Sequence, residues 1–430
     1  MMLATTRSLS DWLDRIERLH SAPIELGLER ISQVRERMQL RTDFPVILVG
    51  GTNGKGSTCA FLEAIYRGAG YLTGLYTSPH ILAYNERVRV GGLDADDAEL
   101  VAAFERVEAA RGDISLTYFE FGTLAALDVF CQRGVDVAIL EVGLGGRLDA
   151  VNIFEPACSV VVSVDIDHVE YLGNDREAIG FEKAGIFRGG RPAVCADEEP
   201  PGSLIDHANA IGADLRLIGR DFGYTSMEAG WQFWNCAGKL AGLPLPALRG
   251  SRQFDNAAAA LECIRALHSQ IPVGMAAMRN GLLDARIAAR FQVLPGKPVV
   301  ILDVAHNAAA AQLLAANLTS MPCTGRTLAV FGVLKDKEIG RIVSSLAQRV
   351  DQWFVSGLPV ARSAAATQVQ HELMQVSKAD RVTCFENVGS ALVAAQDSAR
   401  EDDRIVVFGS FYTVSEALKS SEALRAQVRC

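Results

Sequence analysis

VILVGGTNGKGS, residues 46–57, decides how the rest of this sequence is read. Its first residues, VILV, are a short apolar run of the kind that forms a buried parallel strand, and a glycine-rich turn follows at once. Beyond Ser57, TCAFLEAIYRGAG places apolar residues at helical spacing, with Gly70 as a helix stop. Strand, glycine turn and helix N-terminus together make a phosphate cradle. Glycines let backbone N–H groups converge, the helix N-terminus favours an anion, and a lysine reaches the outer phosphates. Gly51, Gly54, Lys55 and Ser57 fill those roles, although Gly56 separates the lysine from the hydroxyls of Ser57 and Thr58, unlike the usual spacing. A glycine turn alone would serve equally as a structural turn. Lysine, hydroxyl and preceding strand together favour ATP.

Outward from this stretch, apolar strands alternate with amphipathic helices. YLTGLYT (71–77), VDVAILEVG (135–143) and CSVVVSVDIDH (158–168) read as strands, and residues 94–112, 119–134 and 175–187 as helices. Residues 8–42 give two helical segments around the loop SAPIELGLER, and NERVRVGG (85–92) is a short strand or a loop carrying Arg87 and Arg89. Between about 195 and 250 the alternation weakens, and residues 223–250 read as a β-meander or an irregular insertion. After the break Leu294-Pro295-Gly296 it restarts with PVVILDVAHN, RTLAVFGVL, QWFVSGLP and RIVVFGSF, each followed by a helix. The expectation is an α/β protein. A P-loop-type parallel-sheet ATPase domain spans 1–294, and a smaller Rossmann-like α/β domain spans 295–430.

The composition narrows the function classes. At 430 residues, 49% hydrophobic and 22% charged, the chain suits a soluble protein of two or three domains. No apolar run approaches the ~20 residues of a membrane span. The N-terminal residues show neither an h-region nor a small-residue cleavage pattern, so the cytoplasm is expected. Nine cysteines stand singly with no CxxC pair, and they read as reduced, structural thiols. A net charge of −9 without a basic tract argues against nucleic-acid binding, so anionic substrates need local clusters of Arg and Lys.

In parallel sheets ligands bind beyond the carboxyl ends of the strands. Ser78 and His80 follow one strand, Glu141 ends another with Arg147 and Asp149 just beyond, and Asp165, Asp167 and His168 close a third. A Mg²⁺ serving ATP takes few protein ligands, and Ser78, Glu141 and His168 are the shortlist. Each alone could be a helix cap, a surface carboxylate or a satisfied core histidine; their shared placement favours the metal. Lys183 in GFEKAGIF is either a buried amine of depressed pKa or a solvated partner of Glu182, and the pattern alone favours the second. Asp303, His306 and Asn307 end PVVILDVAHN, where an acid commonly holds a ribose hydroxyl. Asn256 and Arg290 read equally as ordinary helix and linker residues.

GTNGKGS (51–57), TSPH (77–80) with NERVRV (85–90), LTYFEFGTL (116–124), LEVGLGGRLDA (140–150), Asp167-His168, EKAGIF (182–187), RFQ (290–292), LDVAHN (302–307) and FGSF (408–411) occur in this order. With them, nearly the whole chain resembles the bacterial bifunctional dihydrofolate synthase/folylpolyglutamate synthases, members of the Mur-ligase-like ATP-dependent amide ligases. The resemblance implies that Asn53, Gly54, Lys55, Gly56 and Ser57 bind the ATP phosphates, and that Asn256, Arg290 and Asp303 contact the nucleotide. It implies Mg²⁺ on Ser78, Glu141 and His168, and a second Mg²⁺ on Lys183 after carbamylation, against the solvated reading. Glu25, Leu26 and Gly27, Thr117, Tyr118, Phe119 and Glu120, and Leu148, Asp149 and Ala150 match the places that hold dihydropteroate.

The implied activity is ATP-dependent ligation of L-glutamate to dihydropteroate and to the γ-carboxyl of reduced folates through an acyl phosphate, with Lys55, His168 and Lys183 catalytic. The implied enzyme is a monomer without nucleic-acid or membrane partners. A polyglutamylase alone, a Mur-type cell-wall ligase and a non-catalytic ATP-binding module are the competing readings. The chain departs from the family at Ala289, where a glycine is usual, in lacking a proline after His306-Asn307, and across 195–250.

Overall fold

The apolar run of the opening stretch is β1 (Val46–Gly50), and all its residues are buried. It is followed by β2 (Thr73–Tyr76), β3 (Val88–Val90), β4 (Leu93–Asp94), β5 (Val137–Glu141), β6 (Cys158–Val161), β7 (Pro192–Cys195) and β8 (Asp214–Leu217). These eight strands form one sheet in the order β4-β3-β2-β5-β1-β6-β7-β8. β1 pairs in parallel with β5 on one side and β6 on the other. A strand flanked this way and covered on both faces cannot alternate apolar with polar residues, which is why it reads as an unbroken apolar run. β3 and β4 extend the β2 edge antiparallel, so residues 88–90 are strand and the sheet is mixed. The computed structural model describes residues 7–22, 24–228, 230–376 and 381–429.

Helix boundaries follow local chemistry. Asp96 with Glu99 and Thr117 with Glu120 form capping boxes that start the helices Asp97–Arg111 and Tyr118–Arg133. Ser8 and Asp11 do the same for Leu9–Glu17, whose Trp12 packs against Phe104 and Phe121 at 6.1 and 6.3 Å. The parallel alternation runs further than the sequence suggested. The helix Gly202–Ile211 is capped from a distance, by the Glu177 carboxylate on the N–H groups of Gly202 and Ser203, and the edge strand β8 is only partly buried, so neither announces itself in the local pattern. The meander that follows is regular: β9 (Phe222–Met227), β10 (Gly230–Asn235) and β11 (Gly238–Leu243) form an antiparallel three-stranded sheet.

A six-stranded sheet is built from β12 (Gln292–Leu294), β13 (Val299–Leu302), β14 (Thr327–Phe331), β15 (Gln352–Ser356), β16 (Val382–Phe385) and β17 (Arg404–Phe408), in the order β12-β13-β17-β14-β15-β16. All pairings are parallel except β12 with β13. Alternate residues of its strands feed two cores. Ala329, Phe331, Val406 and Phe408 pack with the helices Ala308–Ser320 and Ile339–Leu346. Val330, Ile405 and Val407 pack with Val388–Ser398 and Phe411–Ser420. Burial on both faces again requires the unbroken apolar runs.

The chain divides into two compact units. One holds the chain up to His80 with Tyr84–Ala247 and Gln253–Arg286; the other holds Ile81–Ala83, Leu248–Arg252 and the chain from Ile287. The second unit therefore begins ahead of the expected division at 294/295. Pro295 and Gly296 lie in the turn of the β12–β13 hairpin, and both strands belong to one sheet. Among the described residues no helix is long and apolar enough to cross a membrane, and every described cysteine is a free thiol.

Candidate active site

The loop after β1 is built from backbone. Gly51 has φ 142° and lies so close to the Val162 and Ser163 N–H groups that a Cβ would sit 3.1 Å from both nitrogens. Gly54 has φ 93° and caps the helix Lys55–Gly68 without a side-chain hydrogen bond, leaving the first-turn N–H groups to other acceptors. The segment after β6 laces the loop down. Thr52 N donates to Ser163 O (2.8 Å), Asn53 N to Ser163 Oγ (3.0 Å), and Thr52 Oγ1 to Asp165 O (3.0 Å). Lys55 Nζ lies over the loop, 3.0 Å from Gly51 O, and adds its charge to the positive end of the helix. Gly56 and Ser57 are buried in the first turn. Gln253 Nε2 donates to Ser57 Oγ (3.4 Å), and Gln253 Oε1 accepts from the buried Asn256 (3.0 Å). The sequence marked Asn256 but passed over Thr52, Ser163 and Gln253, because their roles depend on segments far apart in the chain.

The metal candidates fall on the same edge. Ser78 N donates to Glu141 Oε2 at 3.3 Å, across the neighbouring strands β2 and β5, and Glu141 is 5% exposed. His168 stands in the left-handed region (φ 52°) with its side chain 39% exposed, held by its own N–H to Asp167 Oδ1 (2.9 Å). Among the described residues no three His, Cys, Asp or Glu side chains form a ready metal cage. The donors suit a hard cation that keeps phosphate and water ligands: a hydroxyl, a buried carboxylate and one imidazole fit Mg²⁺.

Lys183 is buried, on the inner side of the helix Arg176–Ala184. Its neighbour Glu182 pairs instead with Arg147, Oε1 to Nη2 at 2.7 Å, so the solvated Lys183–Glu182 pair is not formed. Burial, then the charge of Lys55, pulls the Lys183 amine down to about 7 against the opposing pull of Asp167 and Asp149. Asp149 is buried as well, and desolvation lifts its carboxyl to about 7 despite the donors Leu144 N and Val151 N.

The three expected pterin stretches are linked through Arg30 and through the turn that begins at Gly143. Arg30 ion-pairs Glu25 and also donates to Glu120 Oε1 at 3.2 Å, tying the segment Glu25, Leu26 and Gly27 to the helix that Thr117 caps. Phe119, next to Tyr118, lies so close to Gly143 that a Cβ there would be 2.7 Å from the ring. The turn from Gly143 to Ala150 is folded on Asp149, and its Leu148 is half-buried. Glu25 also bonds His20 Nε2 (2.7 Å), which lowers its pKa.

In the second unit Asp303 follows β13. Its Oδ2 accepts from Phe291 N and its Oδ1 from Ala305 N, both at 2.7 Å, and desolvation raises its pKa. It thereby fixes a loop in which Ala289 and Phe291 take φ 57° and 44°. That φ explains why a glycine is usual at 289. Arg290, between them, lies over the Phe411 ring at 5.0 Å.

Residues 49–229 match the Mur ligase middle domain, and residues 289–411 match the Mur ligase glutamate ligase domain. The chain is 44% identical to the dihydrofolate synthase/folylpolyglutamate synthase of Escherichia coli (strain K12), over 97% of its own length and 96% of that protein. The chain belongs to the dihydrofolate synthase/folylpolyglutamate synthase family. As a member it is an ATP-dependent ligase with the Mur ligase fold. The structure of Escherichia coli FolC in complex with DHPP and ADP superposes with a TM-score of 0.92, at 44% identity over 97% of this chain and 99% of that one. A bifunctional folylpolyglutamate synthase/dihydrofolate synthase with Mn, AMPPNP and L-glutamate bound gives 0.90, at 42% identity over 99% and 100%.

Proposed function

We propose that this enzyme joins L-glutamate to dihydropteroate, giving dihydrofolate, and to the γ-carboxyl of tetrahydrofolates, giving polyglutamates. One observation carries the reading. The packing of Phe119 on Gly143 brings the pterin segment within two residues of Glu141, whose carboxylate is bonded to Ser78 N. The acid to be activated and the phosphoryl donor then share one edge of one sheet.

A carboxylate acylates poorly because its leaving group would be oxide. Transfer of the γ-phosphoryl of ATP to it forms an acyl phosphate. The glutamate amine adds to the acyl carbon, and the tetrahedral intermediate expels phosphate, leaving an amide, ADP and phosphate. The protein's part is positioning and charge neutralisation. Lys55 and the N–H groups from Asn53 to Ser57 hold the phosphates, and Asn256, Arg290 and Asp303 contact the nucleotide. Ser78, Glu141 and His168 would hold one Mg²⁺, and Lys183, carbamylated through its buried amine, a second. A metal held there would supply positive charge against the ATP phosphates. The enzyme works as a cytoplasmic monomer on small molecules, without nucleic acid or membrane.

ADP release with Mg²⁺-ATP and L-glutamate tests this, with dihydropteroate in one reaction and tetrahydrofolate in another. Turnover with both is expected, and turnover with tetrahydrofolate alone would reduce the enzyme to a polyglutamylase. Lys183→Ala should keep ATP binding and lose ligation by at least about 100-fold, a barrier increase of about 2.7 kcal/mol. Full ligation in that variant would refute the second metal site.

A further inference from the structure

Two arginines two residues apart, Arg87 and Arg89, are used in opposite ways. Arg89 donates to the buried Glu63 (2.9 Å) and lies 3.9 Å from Asp94, so its charge is consumed inside the fold. Among the described residues no carboxylate pairs with Arg87. Its guanidinium lies 5.5 Å from the Tyr84 ring centroid and 5.4 Å from that of Tyr118, and its Nε donates to His80 Nδ1 at 2.9 Å. Tyr84 is itself buried, edge-on to Tyr118 at 6.0 Å. One side of the group and its Nε edge are thus fixed by neutral partners. The terminal N–H groups remain for an anion that the protein does not itself supply. A half-buried guanidinium without a counter-ion is costly, and its flat fork matches a carboxylate.

Its position selects which anion. Arg87 O accepts from Thr77 N at 3.0 Å, which sets the residue beside the one preceding Ser78. Tyr118, which its guanidinium reaches, belongs to the proposed pterin segment, and the adjacent Phe119 stacks on Tyr76 at 5.7 Å. Arg87 therefore links the aromatic segment, through its guanidinium, to the strand end that leads into Ser78, through its main chain. We propose that Arg87 grips the carboxylate of the acceptor acid, an aryl carboxylate on a conjugated ring system, and presents it for phosphoryl transfer. This rests on the reading of the acceptor site given above. Pairing with Arg87 also offsets the repulsion between that carboxylate and the ATP phosphates.

The test compares Arg87→Met, Arg87→Lys and wild type by calorimetry with three probes: ADP, dihydropteroate, and an analogue of dihydropteroate lacking the carboxyl group. Arg87→Met should bind ADP as wild type does and dihydropteroate on the order of 100-fold more weakly, the usual cost of truncating one member of a buried charge pair. The decarboxylated analogue should bind wild type and Arg87→Met alike. Arg87→Lys, keeping charge without the fork or flat faces, should recover about tenfold of the loss. Unchanged dihydropteroate affinity in Arg87→Met would overturn the proposal. So would an equal loss for the decarboxylated analogue, since that marks a structural role. If wild type itself neither binds nor turns over dihydropteroate, the acceptor reading fails instead, whatever Arg87 does.

Discussion

Two loops, the one after β1 in the first unit and the one at 289–291 in the second, place backbone at the carboxyl edge of a sheet by opposite means. The first uses glycine: Gly51 and Gly54 take φ 142° and 93°, and the contacts that hold the loop run mostly through main-chain groups of residues 162–165. The second puts Ala289 and Phe291 at φ 57° and 44° and relies on the Asp303 carboxylate to hold them. Conformational freedom keeps the phosphate loop in place without strain. In the other loop a buried charge holds side-chain-bearing residues where they are unfavourable by roughly 1–2 kcal/mol each.

The largest effect should come from spoiling the glycine solution. In Gly54→Ala the new Cβ would lie 2.5 Å from Asn256 Oδ1 and 2.7 Å from Val162 Cγ1, at a φ that alanine resists. ATP affinity measured by calorimetry should fall by at least about 100-fold, roughly 2.7 kcal/mol. Near-normal affinity would show that the loop tolerates side chains as the second one does. Asp303→Asn should come next. It turns one acceptor of two short bonds into a donor facing an N–H, so chemical denaturation should show a loss of about 2–3 kcal/mol. A loss below about 0.5 kcal/mol would mean that the strained loop holds itself. The smallest change is Ala289→Gly, which removes strain at φ 57° but also a buried Cβ and adds unfolded-state freedom. A gain of less than about 1 kcal/mol is expected. A loss would mean that the packing of that methyl outweighs the strain.

The contrast also governs what was legible. GTNGKGS declared its loop because glycine is what positive φ selects, and the apolar runs declared β1, β5 and β6 because two-sided burial leaves no alternation. The strain at Ala289 could not be read, since alanine carries no mark of the left-handed region. Lys183 misled for a similar reason: its sequence neighbour Glu182 looked like its partner. Helix geometry sends that carboxylate to Arg147 and leaves the amine buried. Gly202–Ile211 and β8 carry no local signal because the helix takes its capping carboxylate from Glu177, far back in the chain, and the edge strand keeps polar residues.

By itself the sequence determined the α/β alternation, the phosphate loop and the order of polar residues at strand ends, because hydrophobic period and glycine chemistry are local. The tertiary structure alone decided the rest. It set which of those residues touch, that the Pro295-Gly296 break lies inside a hairpin, and that of two neighbouring arginines Arg89 is neutralised by Glu63 while Arg87 is not. Charge pairing and burial depend on residues far apart in the chain, and no local pattern records them.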